Sequence, residues 1–489
     1  MPVIEEYFHQ FRENIIGINQ TFISPYGEHK IIYADWVASG RLYSEIEKTM
    51  VELFGPYVGN THSEASITGT TMTHAYHHAH EIIKSHVNAS NEDVIITAGS
   101  GMTGVINKLQ RILGLRVPEQ LKDFTNLPSE LKPVVFLTHM EHHSNQTSWI
   151  ETIADVIILE PDQLGLVNPQ TLQNELNKYS DRKLIIGAFT SCSNVTGIRT
   201  PYHKLAKIMH QNGGYCFIDF ACSAPYDNIN MHPTDTEEKL DAIFFSPHKF
   251  LGGPATPGVL IFDSNLYHNQ VPDNPGGGTV DWTNPWGQHK FVNSIEARED
   301  GGTPPFLQTI KAALAIKLKN KMSSDKMIKR EEELIEIVFY ELEKIPSLHI
   351  LAGHIKERLG AISFYVDGIH YNLVVKLLND RFGIQVRGGC SCAGTYGHFL
   401  LHVDQNYSNK ITDKINHGDF SEKPGWVRLS LHPTMTNDEV HFICSAIKQI
   451  VENIAEWKHD YNYDIHTNEF FHKDSDNMNL QNIDKWFSL

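Results

Sequence analysis

Short apolar segments alternate with amphipathic segments along the first 305 residues of this 489-residue chain. The apolar segments are continuous rather than alternating, which is typical of strands buried on both faces of a sheet. A short strand is predicted at residues 31–34, and seven more at residues 93–97, 134–138, 155–159, 184–189, 215–219, 242–245 and 259–262. Helical segments between such strands indicate a mostly parallel sheet, with ligands at the carboxyl ends of the strands.

The pattern changes after Pro304 and Pro305. A charged helical segment at 306–344, strands at 361–366 and 383–386, and a helix at 437–457 predict a smaller α+β domain. We therefore expect four parts: a segment 1–30 that packs with the small domain, a large domain 31–305, a small domain 306–460, and a tail 461–489. The sequence predicts a surface insertion at residues 115–132. The tail is rich in Asn, Asp and His, which predicts partial disorder.

The bulk composition narrows the class of protein. A formal net charge of −17 disfavours a nucleic-acid partner, which would need a basic face. No apolar run is long enough to span a membrane, and the N-terminal string MPVIEEYFHQ is too acidic and polar for a secretory signal. We expect a cytoplasmic protein whose six cysteines are reduced thiols.

Lys249 is the first candidate for chemistry, because it follows a predicted buried strand in the string DAIFFSPHKFL that begins at Asp241. Desolvation at the end of a strand favours the neutral amine, which is the form that attacks an aldehyde. Ser246 and His248 are suitable donors to a phosphate group. Lys249 is therefore a candidate to hold pyridoxal 5'-phosphate (PLP) as a Schiff base, in an enzyme acting on an amino acid, if other residues of the chain suit that cofactor. Taken alone, a lysine is more often a solvated surface residue.

Three other predicted strands are followed by residues that suit the same cofactor. Asp219 could pair with a protonated pyridine nitrogen, or it could cap a following helix. Asn194, in SNVTG, could hydrogen-bond the phenolic oxygen, or it could form an ordinary turn. The histidines of MEHHSN, which starts at Met140, could stack on a flat ring or form a surface pair.

The segment AGSGMTG, which starts at Ala98, is a candidate phosphate cradle. Backbone N–H groups at a helix N-terminus bind phosphate, and glycine permits close approach. Gly99, Gly101 and Gly104 also match the dinucleotide pattern G-x-G-x-x-G. That pattern requires an acidic residue at the end of a second strand roughly 20 residues further on. Asp123 lies in the loop-like insertion instead, so we expect phosphate binding without a dinucleotide.

In this order, the motifs resemble those of class V aminotransferases, the fold-type I PLP-dependent group that includes cysteine desulfurases, selenocysteine lyases and molybdenum-cofactor sulfurases. The resemblance covers residues 31–457 and rests on YADWVASG, GNTHS, GMT, EHH, SNVTG, DFACSAP, SPHK and REDGGTP. It implies a large α/β domain with a mostly parallel seven-stranded sheet, and a smaller α+β C-terminal domain.

The resemblance also implies roles for individual residues. His142 would stack on the PLP ring, Asn194 would meet its phenolic oxygen and Asp219 would pair with its pyridinium nitrogen. Substrate would be met by Asn60 and His62, with Arg428 holding its carboxylate. The phosphate would be held by Gly101, Met102, Thr103, Ser246 and His248, and by Thr303 from the neighbouring subunit of a homodimer. One departure is Cys222, which stands where cysteine desulfurases usually carry glutamine.

The string GIQVRGGCSCAG, which starts at Gly383, resembles the family loop that carries a sulfur-accepting cysteine. Cys392 falls at that position, Cys390 lies two residues earlier, and Arg387 would favour the thiolate. The resemblance implies a cysteine desulfurase or selenocysteine lyase that forms a persulfide on Cys392 and passes sulfur to an acceptor protein. The alternatives are an aminotransferase, an epimerase, a β-lyase or a non-catalytic PLP-fold binding protein. Inert buried thiols are a further alternative.

A histidine cluster is the remaining signal. His74, His77 and His78 fall on one face of a predicted helix, which is conceivable for a metal site. Because the sequence shows no further ligands for a zinc ion, we expect no metal. A helix near the dimer interface or the substrate entry is the expected location.

Overall fold

The computed structural model of the chain describes residues 4–61, 64–125, 127–474 and 483–488. The chain divides into two compact units. The large unit comprises residues 39–193 and 199–324, and the small unit comprises residues 1–38, 194–198 and 325–489. Among the described residues, no helix combines the length and the apolar character needed to cross a membrane.

A seven-stranded sheet forms the centre of the large unit. Its strands, β1 to β7 in chain order, are Asp93–Ala98, Val134–Thr138, Asp155–Leu159, Ile185–Thr190, Tyr215–Asp219, Ala242–Phe245 and Gly258–Asp263. The spatial order is β1-β7-β6-β5-β4-β2-β3, and only β7 runs antiparallel to its neighbours. The predicted mostly parallel sheet is confirmed, and the carboxyl ends of β1 to β6 meet at one edge.

Helices cover this sheet because its strands are apolar on both faces. Trp149 and Phe217 are fully buried, and their ring centroids lie 6.3 Å apart in a stacked arrangement. The helices of the large unit are Ser44–Thr49, Ile67–His86, Met102–Ile112, His143–Ile150, Pro169–Leu176, Tyr202–Gln211, Ile295–Glu299 and Phe306–Met322. A hairpin of Val280–Thr283 and His289–Phe291 completes the unit's strands among the residues the structure describes.

The small unit is built on an antiparallel four-stranded sheet in the order Leu348–Ile350, Ala361–Val366, Trp426–Ser430, Arg387–Gly389. Strand Ile32–Tyr33 pairs in parallel with Ile384–Gln385, and Thr21–Ser24 pairs with Gly27–Lys30. The helices are Ile4–Arg12, Ser324–Leu342, Tyr371–Phe382, Gly394–Leu400, Gln405–Asn416, Asn437–Trp457 and Ile483–Trp486. A capping box between Thr436 and Glu439 starts the helix Asn437–Trp457 where the sequence predicts it.

The structure corrects three details of the predicted organisation. The helical segment 306–344 is two helices, because Ser323 adopts a left-handed φ of 66° between them. The first of these, Phe306–Met322, packs against Ile67–His86 in the large unit, so the small unit starts at Asp325 rather than at 306. At the other end, the pairing of Ile32–Tyr33 extends the N-terminal part of the small unit to Ala38 instead of residue 30.

Two segments that the sequence assigns to irregular structure contain short elements. The insertion 115–132 includes the 3-10 turns Glu119–Phe124 and Ser129–Leu131. The predicted tail contains a β-hairpin, in which Tyr461–Asp464 pairs with Glu469–His472. The polar composition concealed this hairpin because its two strands carry few aliphatic residues.

Candidate active site

The residues assigned from sequence divide between the two units. The small unit holds Asn194, Arg387, Cys392 and Arg428, and His62 lies outside the described residues. The large unit holds Asn60, Gly101, Met102, Thr103, His142, Asp219, Cys222, Ser246, His248, Lys249 and Thr303.

Asp219 and Lys249 lie at the carboxyl edge of the large sheet. Strands β5 and β6 are parallel neighbours, with Asp219 opposite Phe244, and the short 3-10 turn Pro247–Lys249 follows β6 directly. Lys249 is half-buried, and its backbone position is fixed by the Gly40 N–H, which donates to the His248 carbonyl over 2.9 Å. Parallel pairing therefore brings a carboxylate and an amine to adjacent strand ends.

Asp219 is a buried acid, 3 % exposed. One of its oxygens accepts a hydrogen bond from the Ala221 N–H at 2.8 Å. Turns rather than a helix follow it, which excludes the helix-cap alternative. Burial raises the pKa of Asp219 to about 6, against the lowering effects of the Ala221 hydrogen bond and the positive charge of Lys249. Such a carboxyl group suits a protonated ring nitrogen, which would compensate its buried charge.

Glu141 is a second buried carboxyl group, to which sequence reasoning gave no role. It accepts hydrogen bonds from Thr138 Oγ1 at 2.6 Å, from the Thr190 N–H at 2.9 Å and from Asn145 Nδ2 at 2.8 Å. It therefore ties the ends of β2 and β4 together. Burial raises the pKa of Glu141 to about 7, and the negative charge of Asp219 adds to this effect. Its place in the EHH string, next to His142, was the available signal.

The residues of the predicted phosphate cradle lie between the ends of two strands. Ser246 Oγ accepts a hydrogen bond from the Met102 N–H at 2.8 Å, at the start of helix Met102–Ile112. A Cβ atom on Gly101 would lie 3.1 Å from Ser246 Oγ and 3.5 Å from His248 Cε1, so a side chain there would narrow the space. Thr103 Oγ1 lies 2.7 Å from Ser144 Oγ. Backbone N–H groups and hydroxyls at a helix N-terminus fit a phosphate group.

His248 supports this fit to a phosphate. Its Nε2 atom is buried and has no hydrogen-bond partner among the described residues. Burial, together with the charge of Lys249, lowers the pKa of His248 to about 4, so the ring is neutral at pH 7. A neutral ring nitrogen can donate one hydrogen bond in the appropriate tautomer.

His142 lies at the N-terminus of helix His143–Ile150, where its Nδ1 accepts a hydrogen bond from the Ser144 N–H at 3.1 Å. The ring is half-buried and directly follows the buried Glu141. This anchoring disfavours the alternative of a freely solvated surface pair. The role of His142 in ring stacking stays a prediction.

Cys222 is buried beside a second thiol. The Sγ atoms of Cys192 and Cys222 both lie 3.6 Å from the Ser193 carbonyl oxygen, to which they donate. Burial, with the neighbouring Cys222 thiol as the next cause, raises the pKa of Cys192 well above its usual range. The Cys222 thiol therefore donates to the backbone of the residue directly before Asn194.

In the small unit, Asn194 lies beside the turn that carries both cysteines. Asn194 Nδ2 donates to the Ser391 carbonyl at 2.7 Å, and its Oδ1 is buried with no partner among the described residues. Ser391 and Cys392 have left-handed φ angles of 50° and 57°, and the Ala393 N–H donates to the Cys390 carbonyl at 3.0 Å. Two consecutive non-glycine residues in this conformation are unusual and occur mainly at functional sites.

Arg428 extends the same cluster. This buried guanidinium group forms an ion pair with Asp35 at 2.7 Å and donates to the Asn194 carbonyl at 3.2 Å. Its Nε atom is buried without a partner among the described residues. Arg387 lies opposite Arg428 in the sheet register, but it is exposed. The guanidinium group is thus partly occupied by Asp35, a partner that the sequence analysis did not identify.

The loop that carries Thr303 is exposed at its tip and anchored at its base. Thr303 Oγ1 donates to Asn60 Oδ1 at 3.3 Å, and both residues are exposed. Just upstream, the buried Glu299 accepts from Lys108 at 2.7 Å and from the Tyr267 hydroxyl at 2.8 Å. This anchoring presents Thr303 on the surface in a defined position.

The histidine cluster lies on helix Ile67–His86. Within it, His78 Nδ1 lies 3.0 Å from an oxygen of Glu81, and both side chains are exposed. Over the described ranges, no group of three or more His, Cys, Asp or Glu residues is arranged to hold a metal ion.

Known proteins resemble this chain over most of its length. The family model for class-V aminotransferases matches residues 32–443. A probable cysteine desulfurase from Halalkalibacterium halodurans is 27% identical over 365 residues, which is 74% of this chain and 84% of that protein. A cysteine desulfurase from Haloferax volcanii is 25% identical over 429 residues, or 81% and 92% of the two chains.

Solved structures agree on the fold. A cysteine desulfurase from Thermococcus onnurineus matches with a TM-score of 0.71 at 20% identity, covering 91% of this chain and 98% of that chain. A cysteine desulfurase from Escherichia coli also matches with a TM-score of 0.71 at 20% identity. It covers 91% of this chain and 98% of that chain. The predicted fold class, a large α/β part with a smaller α+β part, is confirmed.

The raised pKa of Asp219 predicts a pH-dependent stability of the PLP-free protein. Because the pKa rises on folding from 3.8 to about 6, the folded protein prefers the neutral acid, and this contribution is present below pH 3.8 and lost as the pH rises through 6. In urea titrations between pH 4 and pH 7, the free energy of unfolding of wild type relative to Asp219→Asn should fall by about 2 kcal/mol. If the difference in unfolding free energy between the two proteins does not change with pH, the pKa of Asp219 is not raised by burial.

Proposed function

Because this chain belongs to the class-V aminotransferase family, a family of PLP-dependent enzymes, we propose that it is a cysteine desulfurase. In this proposal it removes sulfur from L-cysteine and forms a persulfide on Cys392. With selenocysteine as the substrate, the same attack on selenium would form a sulfur–selenium bond on Cys392. The hydrogen bond from Asn194 to the Ser391 carbonyl carries the proposal, because Ser391 lies between Cys390 and Cys392 in the chain. It joins the cysteine turn to the residue that the family resemblance assigns to the cofactor.

Residues of the large unit fit PLP, and the family resemblance adds Asn194 of the small unit. Gly101, Met102, Thr103, Ser246 and His248 would hold its phosphate, and the covalent attachment would form on the half-buried amine of Lys249. His142 would cover the ring, Asn194 would meet its phenolic oxygen, and Asp219 would hold the proton on its ring nitrogen. When bound, PLP withdraws electrons from the substrate Cα and makes its proton acidic.

Residues of this chain would perform the remaining steps. Lys249 would accept the Cα proton of the substrate and later return a proton to its carbon skeleton. The thiolate of Cys392 would attack the substrate sulfur, so that a sulfur–sulfur bond forms while the Cβ–sulfur bond breaks. The electron pair of the broken bond stays with the carbon skeleton, which leaves as alanine after protonation. An acceptor thiol of another protein would then take the sulfur from Cys392.

Arg428 would orient the substrate through its carboxylate. A planar guanidinium fork suits bidentate binding of a carboxylate, but Asp35 and the Asn194 carbonyl each engage one of its terminal nitrogens. We propose that the substrate carboxylate binds at the remaining donors, including the buried Nε. Asn60, His62 and Arg387 would contact the substrate from the flanking loops.

Thr303 supports a homodimeric form of this enzyme. The loop holds it exposed beside Asn60 and anchors its base through Glu299. In the proposed homodimer, Thr303 would donate to the phosphate held by the neighbouring subunit, so that each site needs both copies.

The Lys249→Ala variant tests the cofactor assignment. It should purify without the visible absorbance band of bound PLP, because no other amine is expected to attach the cofactor at this position. Lys204→Ala is a matched control, since Lys204 is an exposed lysine of the large unit. A visible band of wild-type intensity in Lys249→Ala after extensive dialysis would show that Lys249 does not attach PLP.

Paired serine substitutions test the reaction. Cys392→Ser should lower the release of alanine and sulfide from L-cysteine under reductant by about 100-fold or more, because the nucleophile is lost. Cys390→Ser should retain most of the rate. Wild-type turnover by Cys392→Ser would show that the sulfur leaves by another route, and loss only in Cys390→Ser would move the nucleophile to that cysteine.

A further inference from the structure

The C-terminal hairpin of Tyr461–Asp464 and Glu469–His472 lies after residue 443, where the family match ends. It packs on other parts of the small unit through aromatic contacts. The His370 ring centroid lies 5.2 Å from that of Tyr463 and 5.3 Å from that of Phe470. The hairpin is therefore a docked element of this chain that the proposed chemistry has not yet used.

Asn468, at the end of the hairpin turn, makes three hydrogen bonds toward the small unit and within the hairpin. Its backbone carbonyl accepts a hydrogen bond from Asn372 Nδ2 at 2.6 Å, and its side-chain Nδ2 donates to the Tyr371 hydroxyl at 2.7 Å. Its Oδ1 accepts from the Tyr463 hydroxyl at 2.8 Å. The φ angle of Asn468 is 61°, a conformation that asparagine and glycine tolerate best. Asn468 thus fixes the N-terminus of helix Tyr371–Phe382.

Tyr371 and Asn372 in turn pack against the strand that leads to the cysteines. A Cβ on Gly388 would lie 2.3 Å from Asn372 Oδ1 and 3.3 Å from Tyr371 Cδ2. A Cβ on Gly425 would lie 2.5 Å from Tyr371 Cε1. The tyrosine ring is therefore in close contact with both glycines. Gly388 precedes Cys390 by two residues, so the position of the ring bears directly on the cysteine turn.

The hairpin also contacts the chain downstream of the cysteines. The Phe420 N–H donates to the Ile465 carbonyl at 2.9 Å, and His466 Nδ1 lies 2.8 Å from the Gly418 carbonyl. Residues 418–425 return the chain to strand Trp426–Ser430, which carries Arg428. The hairpin turn therefore holds the chain on both sides of the Cys390–Cys392 turn.

We propose that this hairpin, acting through Asn468, is a positioning element that holds the cysteine turn in the conformation in which Cys392 accepts sulfur. The proposal rests on the desulfurase function proposed above. Asn468 touches neither cysteine, so it is a positioning residue that acts through Tyr371, Asn372 and Gly388. A merely stabilising hairpin would affect folding without a specific effect on sulfur transfer.

The test compares Asn468→Gly with Asn462→Gly in the PLP-loaded full chain. Glycine at 468 keeps the left-handed backbone and removes the side-chain bonds, whereas Asn462 is an exposed strand residue of the same hairpin. After one addition of L-cysteine, the rate of persulfide formation on Cys392, followed by mass spectrometry, should fall about tenfold in Asn468→Gly. Asn462→Gly should retain the wild-type rate. The KM for cysteine and the PLP absorbance should not change in either variant.

Equal persulfide rates in Asn468→Gly and wild type would overturn the positioning role, and so would an equal loss in both variants, which would indicate a purely structural hairpin. No persulfide on Cys392 in the wild type would overturn the desulfurase function itself. If Asn468→Gly does not fold, Tyr371→Phe removes only the hydroxyl contact and should lower the rate in the same direction; an unchanged rate would again overturn the proposal.

Discussion

A carboxyl group buried at the end of a strand needs a compensating charge, and this requirement organises the large unit. Asp219 is 3 % exposed, and the equally buried Glu141 adds a second acid nearby. Burying a charge without a partner is costly, so both acids have raised pKa values. Lys249 supplies one positive charge, and a protonated heterocycle would supply another. The glycine-lined cradle at Gly101 fits the same ligand because it offers backbone N–H groups to a phosphate at the neighbouring strand end.

The small unit depends on a different constraint, which is the conformation of the cysteine turn. Ser391 and Cys392 adopt left-handed angles that cost free energy unless their surroundings hold them. Asn194 holds the turn from one side, and the contacts of Tyr371 with Gly388 hold the strand that enters it. Arg428, fixed by Asp35, belongs to the same network. The chemistry proposed for Cys392 therefore depends on residues that are distant in sequence.

Hydrophobic patterning predicted most of the fold, since strands Val134–Thr138, Tyr215–Asp219 and Ala242–Phe245 match the predicted bounds. Continuous apolar runs identify buried strands because both faces must exclude water. Asp219 and Lys249 became candidates because they stand at or just after the ends of such strands. The pattern did not reveal Glu141, the Asp35–Arg428 pair or the Asn468 contacts. These depend on tertiary pairing. The break at Ser323 was not predicted either.

Reductive trapping can establish whether PLP attaches to Lys249. Purified protein loaded with PLP would be treated with borohydride, digested and analysed by mass spectrometry. We expect a pyridoxyl phosphate group on the peptide that contains Lys249, and none on peptides containing other lysines. A stoichiometric label on a different lysine, or protein that takes up no label after loading, would contradict it.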